Sequence, residues 1–149
     1  MPNSPICLDA SFVVRFLVSE ETAAVTDALW TEWHRAGRQL VAPTLLYYEV
    51  SNALHRYERA GILSPEEVID LLDIALSLDI TLYGDADLHR RALILAEGLG
   101  LPAAYDAHYL ALAERLNAEF WTADRRLAAA TAHMPWVRVL GESAGGGTQ

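Results

Sequence analysis

Four acidic residues, Asp9, Glu49, Asp106 and Asp124, stand where carboxylates could share one task. Asp9 closes the apolar run Ile6-Cys7-Leu8, and Asp124 follows Glu119-Phe120-Trp121-Thr122-Ala123, so each falls at the C-terminal end of a strand-like segment. Glu49 lies close to a helical apolar face made by Leu46, Val50, Ala53, Leu54 and Tyr57, and Asp106 shares one side of another helical pattern with Tyr109. Singly, each has an ordinary explanation: Asp9, Asp106 and Asp124 suit helix N-caps, and Glu49 can reach past its apolar neighbours to solvent. Together, two strand ends and two helices that must pack on the same sheet can bring four carboxylates to one place. Their repulsion makes such a cluster costly unless a cation is bound. Magnesium, which prefers hard oxygen ligands and keeps several waters, is the economical partner, with manganese as the alternative.

The elements needed to position these groups are visible in the pattern. After Asp9, the spacing of Phe12, Val13, Phe16 and Leu17 predicts a helix. Residues 22–36 repeat the helical pattern through Val25, Ala28, Leu29 and Trp33, with Gly37 as a stop. Leu40-Val41-Ala42 predicts a second strand, and Pro43-Thr44 opens the Glu49 helix, which continues until Gly61. Ser64-Pro65-Glu66-Glu67 combines an N-cap serine, a proline at the first helical position and a capping-box glutamate, so a helix begins there and runs to about Leu78. Ile80-Thr81-Leu82-Tyr83 is β-prone and Gly84-Asp85 is a turn. The next helix, 86–97, turns Leu88, Ala92, Leu95 and Ala96 inward and ends at Gly98. A helix over about 106–116 carries Leu110, Ala113 and Leu116 on one face, followed by a strand at 119–122, a helix at 125–132 and a last strand at 136–140. This alternation predicts an α/β fold with a mainly parallel sheet covered on both faces, whose binding sites lie outside the carboxyl ends of the strands.

The chain has 149 residues, 52% of them hydrophobic, enough for one domain with a continuous core over residues 1–141. The Gly-rich tail, 142–149, can bury little and is expected to be disordered. All 11 basic residues are arginines, and the missing lysine removes the key residue of P-loop nucleotide binding, receiver domains and haloacid-dehalogenase-like phosphatases. A phosphatase with Asp9 as nucleophile also lacks a second aspartate two residues on, where Ser11 stands. The single cysteine, Cys7, reads as strand packing and needs no oxidising compartment. The five histidines show no paired metal-ligand spacing, so a structural zinc site is not expected. Gly98-Leu99-Gly100 follows a helix rather than a strand and is no dinucleotide fingerprint, and a Gly-x-Ser-x-Gly elbow is absent. Trp30, Trp33, Tyr47, Tyr48, Tyr57 and Tyr109 are at helical spacing that favours packing over base stacking. With 20 acidic residues the net charge is −9, which argues against binding nucleic acid through a broad basic field, although a bound dication would offset part of the cluster's charge. No apolar run reaches membrane-spanning length, and a cytoplasmic location is expected.

The motifs around the four carboxylates are Cys7-Leu8-Asp9-Ala10-Ser11, Pro43-Thr44-Leu45-Leu46-Tyr47-Tyr48-Glu49-Val50 with Asn52-Ala53-Leu54, Tyr105-Asp106-Ala107-His108-Tyr109-Leu110-Ala111-Leu112-Ala113, and Trp121-Thr122-Ala123-Asp124-Arg125-Arg126-Leu127. In order, spacing and context the chain resembles, over nearly its whole length, the PIN domain, and within it the VapC-type toxins of bacterial and archaeal toxin–antitoxin pairs. None of the motifs is specific alone; four in register are.

The resemblance implies a three-layer fold and a magnesium-dependent endoribonuclease, in which the metal lowers the pKa of a water, orients it for in-line attack and stabilises phosphoryl charge, leaving 5′-phosphate and 3′-hydroxyl ends. It implies that Asp9, Glu49, Asp106 and Asp124 are the acidic metal-site residues. Asp9 and Asp106 are the candidates for direct ligands, with Glu49 and Asp124 binding directly or through water. Ser11 and Thr122 are implied to touch a metal-bound water or hold a carboxylate. Arg15 and the pair Arg125-Arg126 would lie near the same edge, either contacting RNA phosphate or simply solvated on their helices. The implied partners are an RNA substrate and a small antitoxin whose basic, Arg-containing segment enters the acidic groove, besides a second copy of the chain packed through the apolar stretches 45–57 and 68–78. The competing expectation is a PIN-fold module that binds protein or RNA without cleavage.

Overall fold

The computed structural model describes residues 3–141, and the tail expected to be disordered lies outside them. Five strands form one parallel sheet: β1 (Ile6–Leu8), β2 (Leu40–Pro43), β3 (Ile80–Tyr83), β4 (Glu119–Thr122) and β5 (Val137–Val139). They stand in the order β3-β2-β1-β4-β5, with β1 at the centre. All three residues of β1 are fully buried, which suits an apolar run without alternation in a sheet covered on both faces.

Helices α1 (Ala10–Val18) and α2 (Ala23–Arg35) connect β1 to β2, and α3 (Leu45–Arg59) and α4 (Pro65–Ser77) connect β2 to β3. Helices α5 (Ala86–Leu99) and α6 (Tyr105–Leu116) carry the chain back across the sheet to β4, and α7 (Arg125–Ala130) leads to β5. Parallel crossovers are right-handed, so the outward run covers one face with α1 to α4, and the return covers the other with α5 to α7. The packing follows that division: α1 meets α2, α3 and α4, while α6 lies between α5 and strands β1, β2 and β4. The expected three-layer α/β architecture is therefore present.

Local signals explain most boundaries. The capping box at α4 is complete, with the Ser64 hydroxyl accepting from the Glu67 amide and the Glu67 carboxylate accepting from the Ser64 amide. Gly37 terminates α2 at a φ of 69°. The predicted stop at Gly98 is displaced: α5 runs through it, at open space, and ends at Gly100 with a left-handed φ of 65°. A helix tolerates an interior glycine at about 1 kcal/mol, whereas the left-handed cap selects for one. Helix α7 and strand β5 are each shorter than expected, ending at Ala130 and spanning Val137–Val139. In α2, Val25 is 51% exposed and Thr26 faces the core instead. The Thr26 hydroxyl makes that possible by donating back to the carbonyls of Thr22 and Ala23, so its burial leaves no polar atom unpaired. No helix among the described residues is long and apolar enough to cross a membrane.

Candidate active site

From β1 the chain turns to β2 on one side, and β4 later joins β1 on the other, so the connections leaving the ends of β1 and β4 diverge. This is a topological switch point, where an open parallel sheet leaves a crevice at its carboxyl edge. Asp9 immediately follows β1 and Asp124 stands two residues beyond β4. The register pairs Leu8 with Trp121, which sets Asp9 beside Thr122.

Asp9 is 4% exposed and every hydrogen-bond donor around it is local to this edge. Its Oδ1 accepts from the Ser11 hydroxyl at 2.7 Å and from the Phe12 amide at 2.9 Å, and its Oδ2 accepts from the Thr122 hydroxyl. The amides of Ala123 and Asp124 donate in turn to the Ser11 and Thr122 hydroxyls, so each hydroxyl passes its single proton to Asp9. Ser11 and Thr122 thus hold a carboxylate, one of the two roles expected of them. Burial raises the Asp9 pKa, the Thr122, Ser11 and Phe12 donors oppose the rise, and the nearby Asp106 charge adds to it, leaving the carboxyl at about 7.

The other three carboxylates come from separate elements. Glu49, half-buried on α3, accepts a 2.7 Å hydrogen bond from the hydroxyl of fully buried Tyr109 on α6. Its pKa is raised by burial, lowered by Tyr109, raised by Asp106 and lowered by His108. Asp124 caps α7, accepting from the amides of Arg126 and Leu127. The ordinary explanation fails for Asp106. Ala104 occupies the N-cap of α6, and Asp106, in the first turn, accepts no hydrogen bond from the described residues. Its pKa is raised by burial and then by the charge of Asp124, which places the two carboxylates within each other's field.

A groove of about 530 Å³ opens over this edge, lined by Asp9, Ser11, Arg15, Glu49 and Asp106 together with Arg56, Tyr57 and Ile62. Arg15 therefore stands where expected, one turn beyond Ser11. Arg125 is exposed at the start of α7 and, like Thr122, is not part of the groove wall. Two contributors escape the sequence reading. Arg56 follows Glu49 by seven residues and Ala53 by three, a same-face spacing that would have found it. Helical spacing assigns Tyr109 to packing alone, and its only further sequence signal is the side it shares with Asp106. Two histidines without meaningful spacing also meet, His89 Nδ1 lying 3.0 Å from His108 Nε2 across α5 and α6.

The donor set fits a hard dication. Asp9 accepts on both carboxylate oxygens and Glu49 on Oε1, each keeping lone pairs for an ion, and Asp106 accepts no hydrogen bond among the described residues and is partly buried. The pKa values of all three are raised chiefly by burial, a penalty on the charged form that a cation relieves. Among the described residues no three His, Cys, Asp or Glu side chains form a ready-made cage.

A family model described as PIN domain matches residues 6–132. Ribonuclease VapC3 of Pyrobaculum aerophilum is 29% identical over 127 residues, spanning 83% of this chain and 92% of its own length. Among solved structures, PAE2754 from Pyrobaculum aerophilum is similar at a TM-score of 0.64 and 28% identity, over 86% of this chain and 80% of that one. A toxin–antitoxin complex from Klebsiella pneumoniae gives a TM-score of 0.67 over 93% of this chain and 99% of the other, at 18% identity, a likeness of fold alone. With Asp9, Glu49 and Asp106 lining one groove at the switch point, Asp124 within the field of Asp106, and the family match running from β1 through α7, the chain belongs to the PIN domain family.

Proposed function

We propose that this chain is a divalent-metal-dependent endoribonuclease of the VapC toxin type, held in check by a cognate antitoxin. The observation that carries the reading is the arrangement of Asp9, Glu49 and Asp106 around one groove, with Asp124 close enough to raise the pKa of Asp106. The Pyrobaculum relative is named as a ribonuclease and the Klebsiella structure is a toxin–antitoxin complex, which supports the substrate class and the kind of partner.

Asp9 and Asp106 would ligate magnesium directly, with manganese as a substitute, and Glu49 and Asp124 would do so directly or through water. When bound, the ion supplies Lewis-acid stabilisation of phosphoryl charge and lowers the pKa of water. The protein does the rest. Ser11 and Thr122 orient Asp9 and favour its ionised form, and Tyr109 does the same for Glu49. Glu49 and Asp124 would flank the site to orient the attacking water and take its proton as its oxygen bonds to phosphorus, while the P–O3′ bond breaks and the departing O3′ takes a proton from solvent, which leaves a 5′-phosphate and a 3′-hydroxyl. Arg15 meets the substrate backbone from the groove wall, and Arg125 and Arg126 meet it from the rim beside Asp124. The net charge of −9 favours capture of a basic antitoxin segment, whose guanidinium groups pair with the same carboxylates. Residues 1–141 form the catalytic domain, acting on cytoplasmic RNA. Exposed Tyr48, Ile69, Ile74 and Leu76 on α3 and α4 supply the face for a second copy of the chain.

The test is cleavage of mixed structured RNAs by antitoxin-free protein with magnesium or manganese against EDTA, beside folded Asp9→Asn and Asp106→Asn variants. Metal-dependent cutting lost in both variants is expected. No cutting by any preparation, with no metal binding in calorimetry, replaces the nuclease with a binding module.

A further inference from the structure

We propose that Arg15, Arg56 and Tyr57 form a subsite for one unpaired ribonucleotide next to the scissile phosphodiester, the arginines holding its phosphate and Tyr57 taking its base. The inference rests on the ribonuclease reading and names the form of RNA that the groove accepts.

Helices α1 and α3 pack side by side, and each presents an arginine to the groove beyond a carboxylate-site residue. Arg15 lies four residues after Ser11 and Arg56 seven after Glu49, about 6 and 10 Å along their helix axes. Between Glu49 and Arg56 the groove is lined only by the methyl group of Ala53, so the wall is hollow where a ligand would pass.

Neither arginine has an acidic partner among the described residues. Arg35, Arg38, Arg90, Arg91 and Arg115 each reach a carboxylate, and of the arginines that do not, Arg15 and Arg56 are the two that line this groove. Two guanidinium groups left without one, facing the same groove beside an acidic cluster, are available to an external anion, and their planar forks match phosphate. The third side is apolar, with Val14, Tyr57 and Ile62, the last 65% exposed. An apolar and aromatic wall beside two phosphate-binding groups suits a nucleotide whose base has left its stack. The volume of about 530 Å³ is that of a small-ligand site, whereas a duplex would present its backbone and keep its bases covered. The preferred substrate is therefore a loop or single strand, not a paired stem.

The experiment compares wild type with Arg56→Gln, Tyr57→Leu and, as a control, Arg90→Gln, whose guanidinium pairs with Asp87 and borders a separate hollow. Steady-state cleavage with magnesium would use a stem-loop RNA, the fully paired duplex of the same sequence, and a stem-loop with an abasic nucleotide on either side of the cut. Arg56→Gln and Tyr57→Leu are expected to raise KM about tenfold for the loop while kcat changes little, and Arg90→Gln to match wild type. One abasic substitution should reproduce the Tyr57→Leu loss and add nothing to it. Wild-type cleavage that prefers the duplex, or that is unchanged in both variants, overturns the subsite and leaves the nuclease standing. The same holds if the variants lose only a basic antitoxin or an acidic peptide and keep RNA. A wild-type protein that neither binds nor cuts any RNA overturns the nuclease reading and this subsite with it.

Discussion

The Tyr109 hydroxyl donates a 2.7 Å hydrogen bond to Oε1 of Glu49, tying the middle of α6 to α3 across the carboxyl edge of the sheet. Tyr109 is fully buried and its own pKa is raised, by burial and then by Glu49, so it remains a donor at any working pH. Tyr109→Phe keeps the ring and removes the donor. The expected result is a loss of about 1–2 kcal/mol in urea unfolding, the lower part of what a hydrogen bond to a charged group contributes, because Glu49 is only half-buried. A fall in kcat beyond what the folded fraction explains should accompany it, because Glu49 then points less strictly. Unchanged kcat would show that Glu49 needs no positioning.

Asp9 links stability to pH with a definite sign. Burial raises its folded-state pKa from 3.8 to about 7, so between those values the folded protein holds a proton that the unfolded chain has released. In EDTA, stability should decline as pH rises from about 4 to 7 and level off above, by at most about 4 kcal/mol from this group. Saturating magnesium requires the ionised carboxylate, so it should flatten the slope and bind more strongly as pH rises through about 7. Thermal melts from about pH 4 to 8, with and without magnesium, check both halves, and Asp9→Asn should reduce the slope in EDTA to the part that Glu49 and Asp106, whose pKa values are also raised, leave behind.

The hydroxyls of Ser11 and Thr122 both lower the Asp9 pKa. Ser11→Ala and Thr122→Val should therefore move the acidic limb of the cleavage profile to higher pH. Activity at about pH 6.5 should fall several-fold more than at about pH 8.5. A uniform loss across pH would mean that these hydroxyls touch substrate rather than tune Asp9.

Asp124 and Asp106 separate structural from chemical roles. Asp124 caps α7, so Asp124→Ala should cost about 1 kcal/mol while Asp124→Asn, which still accepts from the helix amides, should not. Cleavage should be lost in both. Asp106 caps nothing and sits in the field of Asp124, so Asp106→Asn should stabilise the metal-free protein at about pH 8 by up to about 1 kcal/mol while abolishing cleavage. Calorimetric melts beside activity assays distinguish the three variants.

Hydrophobic periodicity was enough to place all five strands and seven helices within a few residues, because burial on one or two faces leaves its period in the chain. The capping box at Ser64 and the left-handed Gly37 were legible for the same reason: local backbone geometry demands particular residues at particular positions. The four motifs also made Asp9, Glu49, Asp106 and Asp124 visible as a set. What the sequence left open were relations across the sheet. Asp106 was as good a cap as Asp9 until α6 began ahead of it, and Gly98 was as good a stop as Gly100 until the backbone turned left-handed at the latter. Residues 49 and 109 meet only because a right-handed return crossover lays α6 against β1, β2 and β4, and no period in one dimension records that contact. The raised pKa of Asp9 and of Asp106, and the lack of an acidic partner for Arg15 and Arg56 among the described residues, belong to the same category. They depend on burial and on distances between segments far apart in the chain, which only the packed tertiary structure decides.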